Sequence, residues 1–135
     1  MTQHTLFVCS LCRFSEKENK KHGLSGGQHL IQELEKGLEK YEWRDYPSGT
    51  LRDRITIEPL SCMAACRRSC AVTLAADDKL TFIFDRLAPI ESVPELLEFI
   101  EQYVTTPNGK VPYRERSRTI QKSTSFVLPP LSNSD

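Results

Sequence analysis

Hydrophobic and polar positions alternate along the chain in a pattern that predicts four short strands and two helices. Short β-prone runs predict strands at 5–8, 55–60, 71–75 and 80–84. Apolar residues recur every three or four positions in 28–41 and in 96–104, which predicts two amphipathic helices. Ser92-Val93-Pro94-Glu95 is typical of a capping box with proline in the first turn, so the second helix is expected to begin there.

The order of these elements is β-α-β followed by β-β-α. A crossover helix joins parallel strands, and the turn at Asp77-Asp78-Lys79 joins the last two strands as a hairpin. We therefore predict an α/β fold with a thioredoxin-like β-α-β-β-β-α core, in which both helices pack on a four-stranded mixed sheet. Residues 1–104 form this domain, and 105–135 are expected to form an extended basic tail that contains prolines.

Composition narrows the classes of protein that fit. The 135 residues correspond to one domain, and 18 basic residues balance 18 acidic ones, which makes a dedicated nucleic-acid binder unlikely. No apolar run approaches the length of roughly 18 residues that spans a bilayer, so no membrane association is expected. The N-terminal residues lack the features of a signal peptide. We therefore expect a cytoplasmic protein whose five cysteines stay reduced.

Four of the cysteines follow the two strands that are predicted to be parallel. Cys9 and Cys12 form a C-x2-C pair after the first strand, and Cys62 and Cys66 form a C-x3-C pair after the second. If these strands are neighbours, their carboxyl ends lie side by side and the four thiolates converge. Such a set meets the tetrahedral sulfur ligation that iron and zinc require.

The residues leave the identity of the metal open between iron–sulfur and zinc. A [2Fe–2S] cluster takes two thiolates per iron, so two pairs on two loops fit it well. Zinc also binds four thiolates, and composition does not exclude it. Arg13, Arg67 and Arg68 are adjacent in sequence to the candidate ligands, and such cations favour the reduced, more negative cluster. The alternative is that these arginines are simply solvated.

Two alternatives concern the cysteines themselves. Cys70 begins the third strand and is expected to be a buried structural residue, the alternative being a ligand in place of Cys12. Cys9 and Cys12 also occupy the place where thioredoxin carries its redox dithiol, so thiol–disulfide exchange is the leading enzymatic alternative. A charged loop separates Cys12 from the first helix, which disfavours a thiol activated by a helix N-terminus.

Longer stretches of the sequence resemble a known family. These stretches are 6–12, 62–70, 82–87 and, in the tail, Tyr103, 107–112 and 114–116. The chain resembles the DUF1636 family of predicted metal-binding proteins, which is similar to the thioredoxin-like [2Fe–2S] ferredoxins. The resemblance implies metal binding and electron transfer, with Cys9, Cys12, Cys62 and Cys66 in the ligand positions. The first pair departs from the pattern of such ferredoxins, in which its spacing is often much wider.

The function expected from these observations is a small ferredoxin-type protein that transfers single electrons or senses redox state. A zinc-binding module for metal handling and a thiol–disulfide oxidoreductase are the alternatives. No general base or nucleophile is apparent for other chemistry, so we favour an electron carrier or metal-binding protein over an enzyme. A redox partner is expected to dock on the basic tail, and a homodimer is a further option. The expected docking residues are Lys110, Arg114, Arg116 and Arg118, and Lys122 is a further basic residue of this tail.

Overall fold

The protein has a mixed α/β fold in the computed structural model, which describes residues 4–10, 20–40, 54–60 and 70–130. The strands are β1 (His4–Cys9), β2 (Lys20–Lys21), β3 (Leu24–Ser25), β4 (Ile55–Leu60), β5 (Val72–Ala76), β6 (Thr81–Phe84) and β7 (Thr124–Leu128). The helices are α1 (Gly26–Lys40), α2 (Val93–Thr105) and α3 (Arg118–Ser123), and a 3-10 helix covers Tyr113–Glu115. None of the helices in these ranges is long and apolar enough to cross a membrane.

The main sheet has the strand order β4-β1-β5-β6-β7. β1 and β4 are parallel, as expected for strands that are joined by the crossover helix α1. β5 is antiparallel to β1, and β6 is antiparallel to β5. The first four strands of this order, together with α1 and α2, confirm the predicted thioredoxin-like core, while β2 and β3 form a separate two-stranded ribbon.

The main sheet has one strand more than predicted, because Thr124–Leu128 of the C-terminal segment form β7. β7 pairs antiparallel with β6, from Thr81 opposite Leu128 to Phe84 opposite Thr124. Before it, α3 buries Ile120 completely, and the Ser117 hydroxyl accepts a hydrogen bond from the Ile120 amide as its N-cap. Neither element shows a clear periodic pattern in the sequence, so tertiary packing decides them. The separation of 105–135 as a distinct unit stays a prediction, although β7 shares the main sheet.

Helix α2 begins where predicted, but the capping box does not form. The Ser92 hydroxyl accepts a hydrogen bond from the Ala88 amide instead of capping the helix. The Glu95 carboxylate accepts bonds from the hydroxyl of Thr119 at 2.8 Å and from its amide at 3.3 Å. The Thr119 hydroxyl bond, with help from Ser117, lowers the pKa of Glu95. Glu95 therefore joins α2 to α3 and does not close its own helix.

The hydrophobic core lies between the sheet and the helices. On β1 the alternate residues Leu6 and Val8 are fully buried, as the period of two requires. The rings of Phe82 and Phe84 meet Phe99 of α2 edge to face, at centroid distances of 4.9 and 5.2 Å. Fully buried leucines of α1 complete this layer; they are Leu30, Leu34 and Leu38. The core therefore holds α1, α2 and the central strand β1 in fixed relative positions.

Candidate metal centre

The carboxyl ends of β1 and β4 lie side by side. Cys9, the last residue of β1, is in register with Leu60, the last residue of β4. The Ser10 amide donates to the Leu60 carbonyl oxygen at 2.8 Å, and the Ser10 hydroxyl donates to the same oxygen at 3.0 Å. Since residue 11 follows Ser10 and residue 61 follows Leu60, the chain continues from two adjacent points towards the other predicted ligands.

The start of the third core strand meets the same place. The Cys9 amide donates to the Ala71 carbonyl oxygen at 3.1 Å. Cys70 has a left-handed backbone with φ of 38°, and its carbonyl oxygen accepts a bond from the Leu87 amide at 3.4 Å. We call this end of the sheet the cysteine edge and define it by Cys9, Ser10, Leu60, Cys70 and Ala71. Chain positions far apart in sequence therefore gather at one end of the molecule.

The structure describes two of the five cysteines. Cys9 and Cys70 are fully buried and not disulfide-bonded. Burial of Cys70 was expected, and its structural role stays a prediction. The other predicted site residues lie outside the described residues; they are Cys12, Cys62, Cys66, Arg13, Arg67 and Arg68. Within the described ranges, no three His, Cys, Asp or Glu side chains are grouped as ligands of a metal ion. The complete predicted ligand set therefore stays a prediction.

The N-terminus of α1 rests on the cysteine edge, which differs from the sequence-based expectation. The helix begins at Gly26 instead of Gln28, directly after Ser25. A Cβ atom on Gly27 would collide with the carbonyl group of Cys9, so the helix approaches the end of β1 more closely than any side chain allows. A charged loop precedes the helix in the sequence, and it was expected to separate the helix N-terminus from the thiols. The N-terminus of α1 nevertheless lies against Cys9.

A capping box at residues 25–28 explains where α1 begins. The Ser25 hydroxyl accepts from the Gln28 amide at 3.2 Å, and the Gln28 side-chain oxygen accepts from the Ser25 amide at 2.9 Å. The same hydroxyl donates to the Ser10 carbonyl oxygen at 2.6 Å. The signal was present in the sequence as Ser-Gly-Gly-Gln, but the two glycines disguised it as a loop.

Two described features of this edge, the Cys9 thiol and the α1 N-terminus, have chemistry that a thiolate-bound metal or cluster would use. Cys9 provides one thiol there, and sulfur ligands are those that iron–sulfur clusters and zinc take. The helix N-terminus contributes a partial positive charge of about half an elementary charge, which stabilises an anionic centre nearby. Four thiolates around two ferric ions and two sulfides carry a net charge of about −2, so this polarity is favourable.

Comparison with known proteins gives a family for the chain. The model of a family described as "Protein of unknown function (DUF1636)" matches residues 6–130. The chain belongs to this family. A solved structure of a thioredoxin-like [2Fe-2S] ferredoxin from Aquifex aeolicus is similar to it at 18% sequence identity. That similarity covers 83% of this chain and 87% of that chain, with a TM-score of 0.49. No curated protein matches the chain.

A second polar cluster of this DUF1636 protein lies at the opposite end of β1. Lys79, only 5% exposed, donates from Nζ to His4 Nε2 at 2.8 Å and to the Tyr103 carbonyl oxygen at 2.9 Å. His4 Nδ1 lies 3.2 Å from the Arg54 carbonyl oxygen. Burial, assisted by the charge of Lys79, lowers the pKa of His4 to about 4. No periodic signal in the sequence marks this buried pair.

The basic residues of the C-terminal segment have different environments in the DUF1636 protein. Lys110, Arg114 and Arg118 are exposed. The Arg116 guanidinium instead lies 5.0 Å from the centroid of the Phe82 ring and donates from Nε to a backbone carbonyl oxygen at 3.0 Å. Burial lowers the pKa of Arg116. Three of the four predicted docking cations therefore face the solvent, and the fourth packs against the core.

Proposed function

We propose that this DUF1636 protein binds a [2Fe–2S] cluster at the cysteine edge and uses it to transfer single electrons or to sense redox state. The ligands in this proposal are Cys9, Cys12, Cys62 and Cys66. The observation that carries the proposal is the register of Cys9 with Leu60. It places the point from which the chain continues to Cys12 next to the point from which it continues to Cys62. A cytoplasmic location remains part of the proposal.

Covalent geometry supports convergence of the two cysteine pairs. Consecutive Cα atoms are about 3.8 Å apart, so Cys12 lies within about 7.6 Å of Ser10, and Cys62 within the same distance of Leu60. Neighbouring strands are separated by about 4.8 Å, which keeps both starting points within one strand spacing. Cys66 is four residues from Cys70, which belongs to the same edge. Chain connectivity therefore favours a common site for the four thiols.

The cluster would supply a one-electron couple, and the protein would hold and tune it. Cys9 at the end of a central strand provides a rigid ligand position, since its amide is fixed by the Ala71 carbonyl oxygen. The α1 N-terminus favours the added negative charge of the reduced cluster, which raises the reduction potential. Arg13, Arg67 and Arg68 are expected to act in the same direction.

The test is the metal content and spectrum of the protein purified without oxygen. We expect about two iron and two sulfide per chain, visible absorbance that bleaches with dithionite, and a paramagnetic signal from the reduced protein. Cys62→Ser should lose this absorbance, whereas Cys70→Ser, the matched cysteine control, should retain it. A colourless protein that contains zinc would contradict the cluster and favour the zinc-binding alternative.

Thiol–disulfide exchange remains a second candidate because α1 begins against Cys9 and Ser10. A helix N-terminus stabilises a nearby thiolate, which is the feature that activates redox dithiols. This function predicts a Cys9–Cys12 disulfide and metal-free disulfide reductase activity that persists in Cys62→Ser. The same variant therefore separates the two candidates, since it removes a cluster and spares a dithiol.

Docking of an acidic redox partner on the C-terminal segment is also part of the proposal. The exposed cations Lys110, Arg114 and Arg118 would attract the acidic partner electrostatically, whereas the Arg116 guanidinium packs over the Phe82 ring. Replacing the three exposed residues by glutamine should slow oxidation of the reduced protein by anionic ferricyanide and weaken its dependence on salt. An unchanged rate and salt dependence would contradict a docking role for these charges.

A further inference from the structure

We infer that Ser25, the N-cap of α1, is a positioning residue that holds Cys9 and Ser10, the described part of the Cys9–Cys12 segment, in the conformation in which the Cys9 thiol binds metal. The inference deepens the proposed function and rests on it, because it assigns Ser25 a part in the same site. Ser25 would not touch the metal. Its effect passes through the Ser10 backbone, where the described part of the segment ends.

The hydroxyl of Ser25 has two partners, one as donor and one as acceptor. It donates its one hydrogen to the Ser10 carbonyl oxygen at 2.6 Å and accepts the Gln28 amide at 3.2 Å. Ser25 is only 7% exposed, so water has little access to replace either bond. The interaction therefore connects the first turn of α1 to the end of β1 through a single atom.

Ser10 is fixed from two sides by this arrangement. Its amide and hydroxyl both donate to the Leu60 carbonyl oxygen, which sets its position relative to β4. Its own carbonyl group is the last one before residue 11, and Ser25 sets the direction of that group. The contact of Gly27 with the Cys9 carbonyl restrains the preceding peptide in the same way. The direction in which the chain leaves β1 at Ser10 is therefore set by α1.

Metal ligands need this kind of restraint. Sulfur atoms must meet a tetrahedral metal within a few tenths of an ångström, and partners of the ligand backbone keep them there. A purely structural N-cap makes a different prediction, since its loss lowers the stability of α1 and leaves the lifetime of the metal site unchanged. Variants that separate the cap from the bond to Ser10 distinguish these two roles.

Three substitutions make this separation. Ser25→Gly removes the donor to Ser10 without adding charge, and glycine at an N-cap costs helix stability little. Ser25→Thr retains the hydroxyl and is the conservative rescue. Gln28→Ala is the matched control, because it deletes the other half of the capping box and leaves the bond from Ser25 to Ser10 in place.

The experiment measures metal release to a chelator from the anaerobically purified, metal-loaded proteins. The loss of one buried hydrogen bond corresponds to about a five- to tenfold change in an equilibrium, so Ser25→Gly should release its metal about five- to tenfold faster. Ser25→Thr and Gln28→Ala should release it at the wild-type rate. In the metal-free proteins, exchange of the Cys9 and Ser10 amides, which bond to the Ala71 and Leu60 carbonyl oxygens, should be faster only in Ser25→Gly.

The outcomes separate this inference from the proposed function. Wild-type protein that contains neither iron nor another thiolate-bound metal would contradict the proposed function itself. Metal-loaded wild type with the same release rate as Ser25→Gly would overturn the role of Ser25 alone. Equal exchange of the Cys9 and Ser10 amides in Ser25→Gly and wild type would overturn it as well. Faster release in Gln28→Ala would show that the helix cap, and not the bond to Ser10, protects the site.

Discussion

His4 is a buried base that the fold keeps neutral. Its Nε2 accepts the Nζ–H of Lys79, and its Nδ1 lies against the Arg54 carbonyl oxygen, so both ring nitrogens have partners. Burial and the neighbouring charge of Lys79 lower its pKa from 6.5 to about 4. Below pH 6.5 the unfolded chain takes up a proton that the folded chain does not, so acid favours unfolding.

His4 therefore predicts a component of stability that is present above pH 6.5 and lost as the pH falls towards 4. The shift in pKa corresponds to about 3 kcal/mol across this window. His4→Gln retains an acceptor for Lys79 but does not titrate, so its free energy of unfolding should fall less in acid. Urea denaturation of both proteins between pH 4 and 7 measures the difference. If the free energy of unfolding fell equally in both proteins between pH 7 and pH 4, His4 would not be the source of the acid sensitivity.

Gly27 and Gly37 provide a second residue-level prediction, because both lie in α1 but face different neighbours. A Cβ atom on Gly27 meets the Cys9 backbone, which belongs to a central strand that lacks room to move. On Gly37 it would lie 2.5 Å from Cδ1 of Leu97, a side chain that rotates more easily. Gly27→Ala should therefore cost about 2–3 kcal/mol of overpacking.

Gly37→Ala should be nearly neutral, since alanine gains about 1 kcal/mol of helix propensity that offsets the crowding of Leu97. Chemical denaturation of the two variants gives both values. The explanation would be wrong if Gly37→Ala cost as much as Gly27→Ala.

At the scale of elements, the core strands and both long helices could be predicted from periodicity, whereas the short elements could not. β1 and β4 follow β-prone runs, and the parallel pairing follows from the crossover helix between them. Six residues of α3 give too few repeats for a helical period to be recognised. In β7 the apolar residues Phe126, Val127 and Leu128 are consecutive and exposed, so they show no alternation with polar residues. Their structure depends on contacts across the fold, such as the bonds from Thr119 to Glu95.

The candidate site was predictable only in part. The spacing of the cysteines can be read directly from the sequence. The direction of the strands predicts that the carboxyl ends of β1 and β4 lie side by side. The role of Ser25 could not, since its partner Ser10 is 15 residues away and no local pattern connects them. The early start of α1 was missed because Gly26 and Gly27 are typical of turns.

The packing of α3 predicts that the C-terminal segment stabilises the domain. Ile120 is fully buried, whereas Ile90 is 42% exposed and offers a control of the same residue type. Ile120→Ala should cost about 2–4 kcal/mol, and Ile90→Ala less than about 1 kcal/mol. Urea titration of the two variants makes the comparison. Equal small effects would show that the segment beyond residue 105 contributes little, as a separate tail would.

At the scale of the whole molecule, the two polar clusters occupy opposite ends of β1. His4 is its first residue and Cys9 its last, so five residue steps of about 3.3 Å separate their Cα atoms by roughly 17 Å. α1 begins at the cysteine edge, and the chain of β6 also runs towards that edge before α2 begins. The cysteine edge therefore contains the α1 N-terminus with Cys9 and Cys70, whereas the other end of the sheet contains the His4–Lys79 pair.

This separation predicts that metal binding and the acid response of His4 are independent. Metal that binds only the folded protein should stabilise it by about 2.7 kcal/mol at a hundredfold excess over the dissociation constant, or roughly 10 °C in the unfolding midpoint. Chelation should remove this increment from the wild type and leave the midpoint of Cys62→Ser unchanged. Sites more than about 10 Å apart contribute additively within about 0.5 kcal/mol.

The double variant His4→Gln, Cys62→Ser measures this independence directly. The sum of the two single-variant changes in unfolding free energy should equal the change in the double variant, and His4→Gln should contain as much metal as the wild type. A coupling above about 1 kcal/mol would place the two ends of β1 in one cooperative network. In that case metal at the cysteine edge would alter the proton affinity of His4, and the pH dependence of the metal-loaded protein would differ from that of the metal-free protein.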